Sequence, residues 1–263
     1  GADFWGVLDG MYYTIYDLYI NRPEEYGVGI FNTVEGGTVG SLNVERAYVY
    51  GAANVGVIAG RSDDGEYYEI HVVDSTVIGD TMTGKVGGLV GYNESGIIFE
   101  DCSFEGTVYG HAGAGGLIGS SSGSISIENS YNEGAITGNY YTGGLIGESL
   151  DSVSITNSYN EGVIEGKNAA GGLIGSVEGV CTIEDSYNRA GVSGFYKTGG
   201  LVGYSLDDLS ISDSYNENPI SGYYRTGGLV GSVGEKVILL RSYNEGSVSS
   251  FLSDYDPDHY NIP

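Results

Sequence analysis

Asp254, Asp256 and Asp258, in the stretch DYDPDHY, are spaced as the opening ligands of a calcium loop would be. Alternate carboxylates can turn their oxygens onto one hard cation. The Gly and the closing Glu of such a loop are missing, so the three are weak metal candidates, and an acidic tail over the end of the fold is the favoured reading. A second acidic set recurs along the chain as Glu105, Glu133 and Glu161, then Arg189, then Glu217 and Glu245. Stacked carboxylates repel one another, and an arginine among them relieves the middle. A solvated charged edge is favoured there over bridging calcium. Asp207 and Asp208 are an acid pair of the kind that glycan-cleaving enzymes use, while His71, His111 and His259 lie in unrelated settings. No nucleophile elbow, zinc helix or phosphate-binding glycine loop accompanies them.

Tyrosine is over-represented, at 24 of 263 residues. Tyr140, Tyr141, Phe195, Tyr196, Tyr223 and Tyr224 stand just before Gly pairs, with Lys197 and Arg225 beside two of these groups. Such rings stack on sugars or on another protein if exposed, and cover the core if turned inward. Both readings stay open, and the six aromatics are the candidate surface contact.

The elements that must hold these residues follow from a repeat. Ile30, Ile58, Leu89, Leu117, Leu145, Leu173, Leu201 and Leu229 occupy one recurring place, at steps of 28, 31, 28, 28, 28, 28 and 28. The odd step fits a three-residue insertion near Asp80–Lys85. Tyr131, Tyr159, Tyr187, Tyr215 and Tyr243 keep the same 28-residue step. Each unit holds three runs of strand character, typified by GGLIG, SVSITNS and GAITG. Alternation in the second run predicts a half-buried strand. One unit cannot stand alone, since ordering its backbone costs about 1–2 kcal/mol per residue and a few buried aliphatics return roughly 1.5–3 kcal/mol each. Stacking resolves this, with equivalent strands about 4.8 Å apart and identical side chains in ladders.

The predicted fold is therefore all-β: a parallel, right-handed β-solenoid of about 28 residues and three short strands per coil. It forms a single domain over 1–263, with divergent first coils at 1–60, regular repeats at 61–248 and an acidic tail at 249–263. The Asn column Asn132, Asn160, Asn188, Asn216, Asn244 is placed at a turn, with amides bonding from coil to coil. The Val/Ile column after the Leu column either forms an exposed stripe or is buried by a bend; the bend is favoured. Cys102 and Cys181, in different columns three coils apart, are expected as free buried thiols.

GGLVG at 87–91, 199–203 and 227–231, and GGLIG at 115–119, 143–147 and 171–175, resemble the GLUG repeat. The opening FWGVLDGMYYTIYDLYINRPEEYGVGIF, residues 4–31, resembles the segment that leads into such arrays. The resemblance implies a bacterial or archaeal surface or adhesin-like protein, or a non-catalytic part of an IgA-peptidase-type protein. It carries over no catalytic residues.

Composition bounds the function. Ten Lys and Arg against 35 Asp and Glu give a net charge of −25, which opposes binding to nucleic acid or anionic membrane. No apolar run is long enough to span a bilayer, and Gly1 opens no signal peptide, as in a trimmed secreted chain or a cytosolic one. Asn93-Glu94-Ser95 is the one N-glycosylation triplet. An active site would interrupt the coils with unequal loops, and the strip Ser126, Ser154, Thr182, Ser210 is too narrow for an ice-binding face. The expectation is a non-enzymatic extracellular or cell-surface structural or adhesive module without cofactor, calcium being the one candidate. Its partners are expected to be a surface glycan, a protein or further copies, because uncapped solenoid ends leave strands unpaired. A polysaccharide-active β-helix enzyme and a calcium-dependent carbohydrate-binding module are the alternatives.

Overall fold

Ile125-Ser126-Ile127-Glu128 alternates buried and exposed side chains, as a strand with one face on a core must. The computed structural model, which describes residues 3–251, pairs this strand in parallel with its equivalents on either side. Register runs Ile97, Ile125, Val153, Cys181, Leu209, Val237 along one column and Phe99, Ile127, Ile155, Ile183, Ile211, Leu239 along the next. Like stacks over like, and from Ile97 through Ile211 these side chains are at most 3% exposed. The fold is a parallel β-solenoid with about 28 residues per coil. One of its sheets contains nine strands, one from each coil. No helix occurs among the described residues.

A regular coil carries five short strands where three runs were expected: Ile146–Ser149, Val153–Thr156, Tyr159–Asn160, Ile164–Glu165 and Ala169–Gly171. Two corners account for the difference. The second run is broken by a residue in the left-handed region, Asp101, Asn129, Asn157, Asp185, Asp213 or Arg241 in successive coils, with φ between 48° and 51°. Asn and Asp tolerate that region best. The unusual backbone angle thus falls three residues before the Asn132 column, which itself lies in a strand. The Gly-Gly-Leu run is the second corner, where one strand ends at Gly143 and the next begins at Ile146. The bend turns adjacent Leu145 and Ile146 both inward, each fully buried, so no Val/Ile stripe faces solvent in the central coils.

That corner explains the glycines. A Cβ on Gly144 would lie 2.1 Å from the Gly172 carbonyl oxygen, and one on Gly172 equally close to that of Gly200. Backbone meets backbone there, and no side chain fits between.

The insertion lies where expected. Tyr50 pairs with Ile78, whereas Val55 pairs with Val86, so the extra residues fall between them. A further one-residue offset, present from Ile97 to Phe104, closes at a bulge before Gly106. Cys102 and Cys181 are free and buried, and burial pushes both thiols up to about 12. The core opens toward both ends. In the last described coil Leu239 is 49% and Val248 43% exposed, where Ile211 and Ile220 one coil earlier are fully buried. Phe4, Leu8, Ile15 and Leu18 are only partly buried in the first coil.

Candidate functional site

Most repeated polar side chains are used inside the fold. Each Asn of the buried column donates to the next coil, Asn132 to Asn160, Asn160 to Asn188, Asn188 to Asn216 and Asn216 to Asn244, over 2.6–2.7 Å. The amide ladder expected from sequence is present. Beside it, Ser158, Ser186 and Ser214 hydroxyls accept the backbone N–H of Ser130, Ser158 and Ser186 one coil earlier and donate to a carbonyl in their own coil. These groups are unavailable to a ligand.

Two outward columns flank this interior. The rings of Tyr131, Tyr159, Tyr187, Tyr215 and Tyr243 stack almost parallel, with centroids 4.8–5.3 Å apart. The 28-residue tyrosine period marked the column, but only alternation with the buried Asn puts the rings outside. Next to it runs the Glu column. Arg189 donates to Glu217 at 2.8 Å, lies 3.8 Å from Glu161, covers the Tyr187 ring at 4.5 Å and donates to the Tyr215 hydroxyl at 3.0 Å. Glu133 lacks such a partner, and its carboxyl is raised above the usual range by burial and then by Glu161 and Glu105.

The predicted aromatic corner divides in two. Tyr141 pairs in register with Ala169, so a coil bearing Asn168 and Ala169 separates Tyr140 and Tyr141 from the other four rings. Those four are together. Phe195 stacks on Tyr223 at 5.0 Å and meets Tyr224 edge-on at 5.3 Å, Tyr196 lies 6.0 Å from Tyr224, and Phe251, unremarked in the sequence, joins at 5.5 Å from Tyr223. Tyr140, Phe195 and Tyr223 are 39–41% exposed, whereas Tyr141, Tyr196 and Tyr224 are half-buried. The first ring of each pair faces solvent and the second packs down.

Cations line this corner. Lys197 Nζ sits 3.4 Å from the centre of the Tyr204 ring and 5.9 Å from that of Tyr196, while the Arg225 guanidinium lies 5.5 Å from Tyr196. Both residues have positive φ, 54° and 51°. Burial and then the Arg225 charge lower the Lys197 ammonium.

The other candidates do not converge. Asp207 and Asp208 lie side by side on the surface, and Asp208 accepts the Lys236 backbone N–H. His71 bonds Ser103, and His111 bonds Asn139. Among the described residues no group of three or more His, Cys, Asp or Glu is placed to hold a metal ion. Asp254, Asp256, Asp258 and His259 lie outside the described residues. Asn93 is fully buried, its amide donating to Ser95 and Ser121, so the folded chain withholds it from glycosylation. A groove of about 670 Å³ crosses the outer face of the alternating strands, lined by Ser124, Ser126, Ser152, Ser154 and Thr182, with Glu66 toward one end.

The family model of the GLUG motif matches residues 83–109. Over 101 residues the chain is 38% identical to Halomucin of Haloquadratum walsbyi, a match that covers 38% of this chain and 1% of that protein. A crystal structure described as a "putative immunoglobulin A1 protease" from Bacteroides ovatus aligns with 92% of this chain and 68% of its own, at 16% identity and a TM-score of 0.37. A likeness that slight carries no argument about activity. The matched motif holds the first GGLVG, and five further copies follow it coil by coil in register. The chain is a β-solenoid that carries the GLUG motif at residues 83–109 and five similar copies after it.

Proposed function

We propose that the chain is a non-enzymatic structural and adhesive module, carried outside the cell or at its surface. The observation behind this reading is a division of labour between the interior of the coils and one outer corner. The repeated Asn and Ser cohere the rod, while the ring-and-cation corner around Phe195 and Tyr223 is turned outward on a rigid support. Aromatic rings with adjacent cations are suited to sugars and to protein surfaces. The GLUG motif and the likeness to Halomucin favour a surface location. The test is a glycan array probed with the full chain and with a Tyr140→Ser, Phe195→Ser, Tyr223→Ser triple variant, which removes the outward rings. Retained melting behaviour with at least tenfold weaker binding is expected. Undiminished binding by the folded variant removes the corner as the adhesive surface, and a hydrolytic product from any arrayed glycan removes the non-enzymatic reading.

A second reading, self-association, draws on the exposed core residues of the terminal coils. Partly exposed aliphatics in the first and last described coils, such as Leu8 and Leu239, favour contact between copies. Sedimentation at rising concentration should then show mass growing beyond the monomer; a constant monomer mass rejects it.

A further inference from the structure

Five of the six arginines are matched with carboxylates: Arg22 with Glu25, Arg46 with Asp17, Arg61 with Glu94, Arg189 with Glu217 and Arg241 with Asp213. In a chain of net charge −25 such pairing is what acids in excess should produce. Arg225 is the exception. Its guanidinium donates a 3.5 Å bond to the Ser232 hydroxyl, and no carboxylate among the described residues pairs with it or with Lys197. The two cations nevertheless flank one ring, Tyr196, at 5.5 Å and 5.9 Å. Lys167 belongs to the same corner one coil below, where its carbonyl accepts the backbone N–H of Phe195 and Tyr196. The acid that shares the Tyr204 column, Glu148, lies two coils away, at about 10 Å by strand spacing.

Holding two like charges together on left-handed backbone, without an acid, is costly. Burial and, after it, the Arg225 charge lower the Lys197 ammonium, and a bound anion would offset the second of these. The neighbouring groups restrict which anion. Phe195 and Tyr223 offer partly exposed ring surface, 40% and 41%, suited to the C–H face of a pyranose, and Ser232 offers a hydroxyl. A polyanion would be repelled by the rest of the chain. A ligand with a single carboxylate on a neutral, hydroxylated ring is governed by charges within about one screening length, roughly 8 Å at physiological ionic strength.

We propose that Lys197 and Arg225, with Phe195 and Tyr223 beside them, form a binding site for a carboxylate-bearing sugar. The assignment rests on the adhesive reading and names its ligand class. Methyl glucuronide and methyl glucoside, which differ only in a carboxylate against a hydroxymethyl group, are the probes, and ligand-observed NMR on the full chain is the measurement. At least tenfold tighter binding of the glucuronide is expected, with the preference abolished in the Lys197→Gln, Arg225→Gln double variant and kept in Lys236→Gln. Arg225→Gln alone, at an exposed position, serves if the double variant does not fold, and should weaken the glucuronide at least threefold. Equal binding of the two sugars, or a preference that survives loss of the cations, overturns the proposal. Binding of neutral glycans on the array without glucuronide binding here would leave the adhesive reading standing and reject this site. Silence on both would reject both.

Discussion

Asn160 uses its whole hydrogen-bonding capacity. Its Nδ2 donates to Gly162 O and to Asn188, and its Oδ1 accepts from Asn132 and from the Gly162 N–H. Asn160→Ala strands a donor, Asn132 Nδ2, on the coil before and an acceptor, Asn188 Oδ1, on the coil after, each buried. Leaving such a group unpaired costs about 1–3 kcal/mol, so a loss of roughly 2–5 kcal/mol is expected in denaturant unfolding. A value near zero would mean that water repairs the ladder. Glu148 tests the opposite case. Burial raises its carboxyl despite a 3.0 Å bond from Ser120 and the nearby Lys85 charge, and Glu178 raises it further. An acid whose folded value lies above its unfolded one stabilises the fold while protonated, below the ordinary range near pH 4, and loses that contribution as pH climbs through the folded value. Glu148→Gln should therefore raise the melting temperature at pH 7 and leave it nearly unchanged below pH 4. Asp213, held low by Arg241, has the reverse sign: its contribution is present at neutral pH and lost on acidification.

The coil is the element that matters, and it tolerates removal only as a unit. Deleting residues 158–185, one whole period, rejoins Asn157 to Ser186 and lets every strand find an equivalent partner. A folded, shorter rod with a cooperative melt is expected from circular dichroism, whereas deleting half that length should abolish the melt because inward and outward columns no longer align. The coil was legible in the sequence because its aliphatic columns, Ile127 to Ile211 for example, fall at one fixed interval. Its corners were less so. Asn157 and Asn160 are the same residue type, yet only Asn157 takes the left-handed turn, a choice made by the strand it terminates. The register offset before Gly106 leaves no mark in composition. The candidate site was half visible: the aromatics and cations before the Gly pairs stood out, but Tyr204, which receives the Lys197 ammonium, comes from the strand beyond the corner and was not among the predicted contacts.

Over the whole molecule, 35 acids against 10 bases set the response to solvent. Like charges on a rod repel along its length, and salt screens them within about 10 Å at 0.1 M. Melting temperature should rise between about 10 mM and physiological sodium chloride, a range over which the screening length falls severalfold. A fall would mean that the Arg189 and Arg241 pairs outweigh the general repulsion.

The second Gly of each pair, with room for backbone and nothing more, has a further consequence. It makes every interior coil ask the same thing of its neighbour, so a gene tract copied or dropped in frame yields a longer or shorter shaft with unaltered joints. Length then becomes a heritable variable separate from surface chemistry, adjustable without redesigning either.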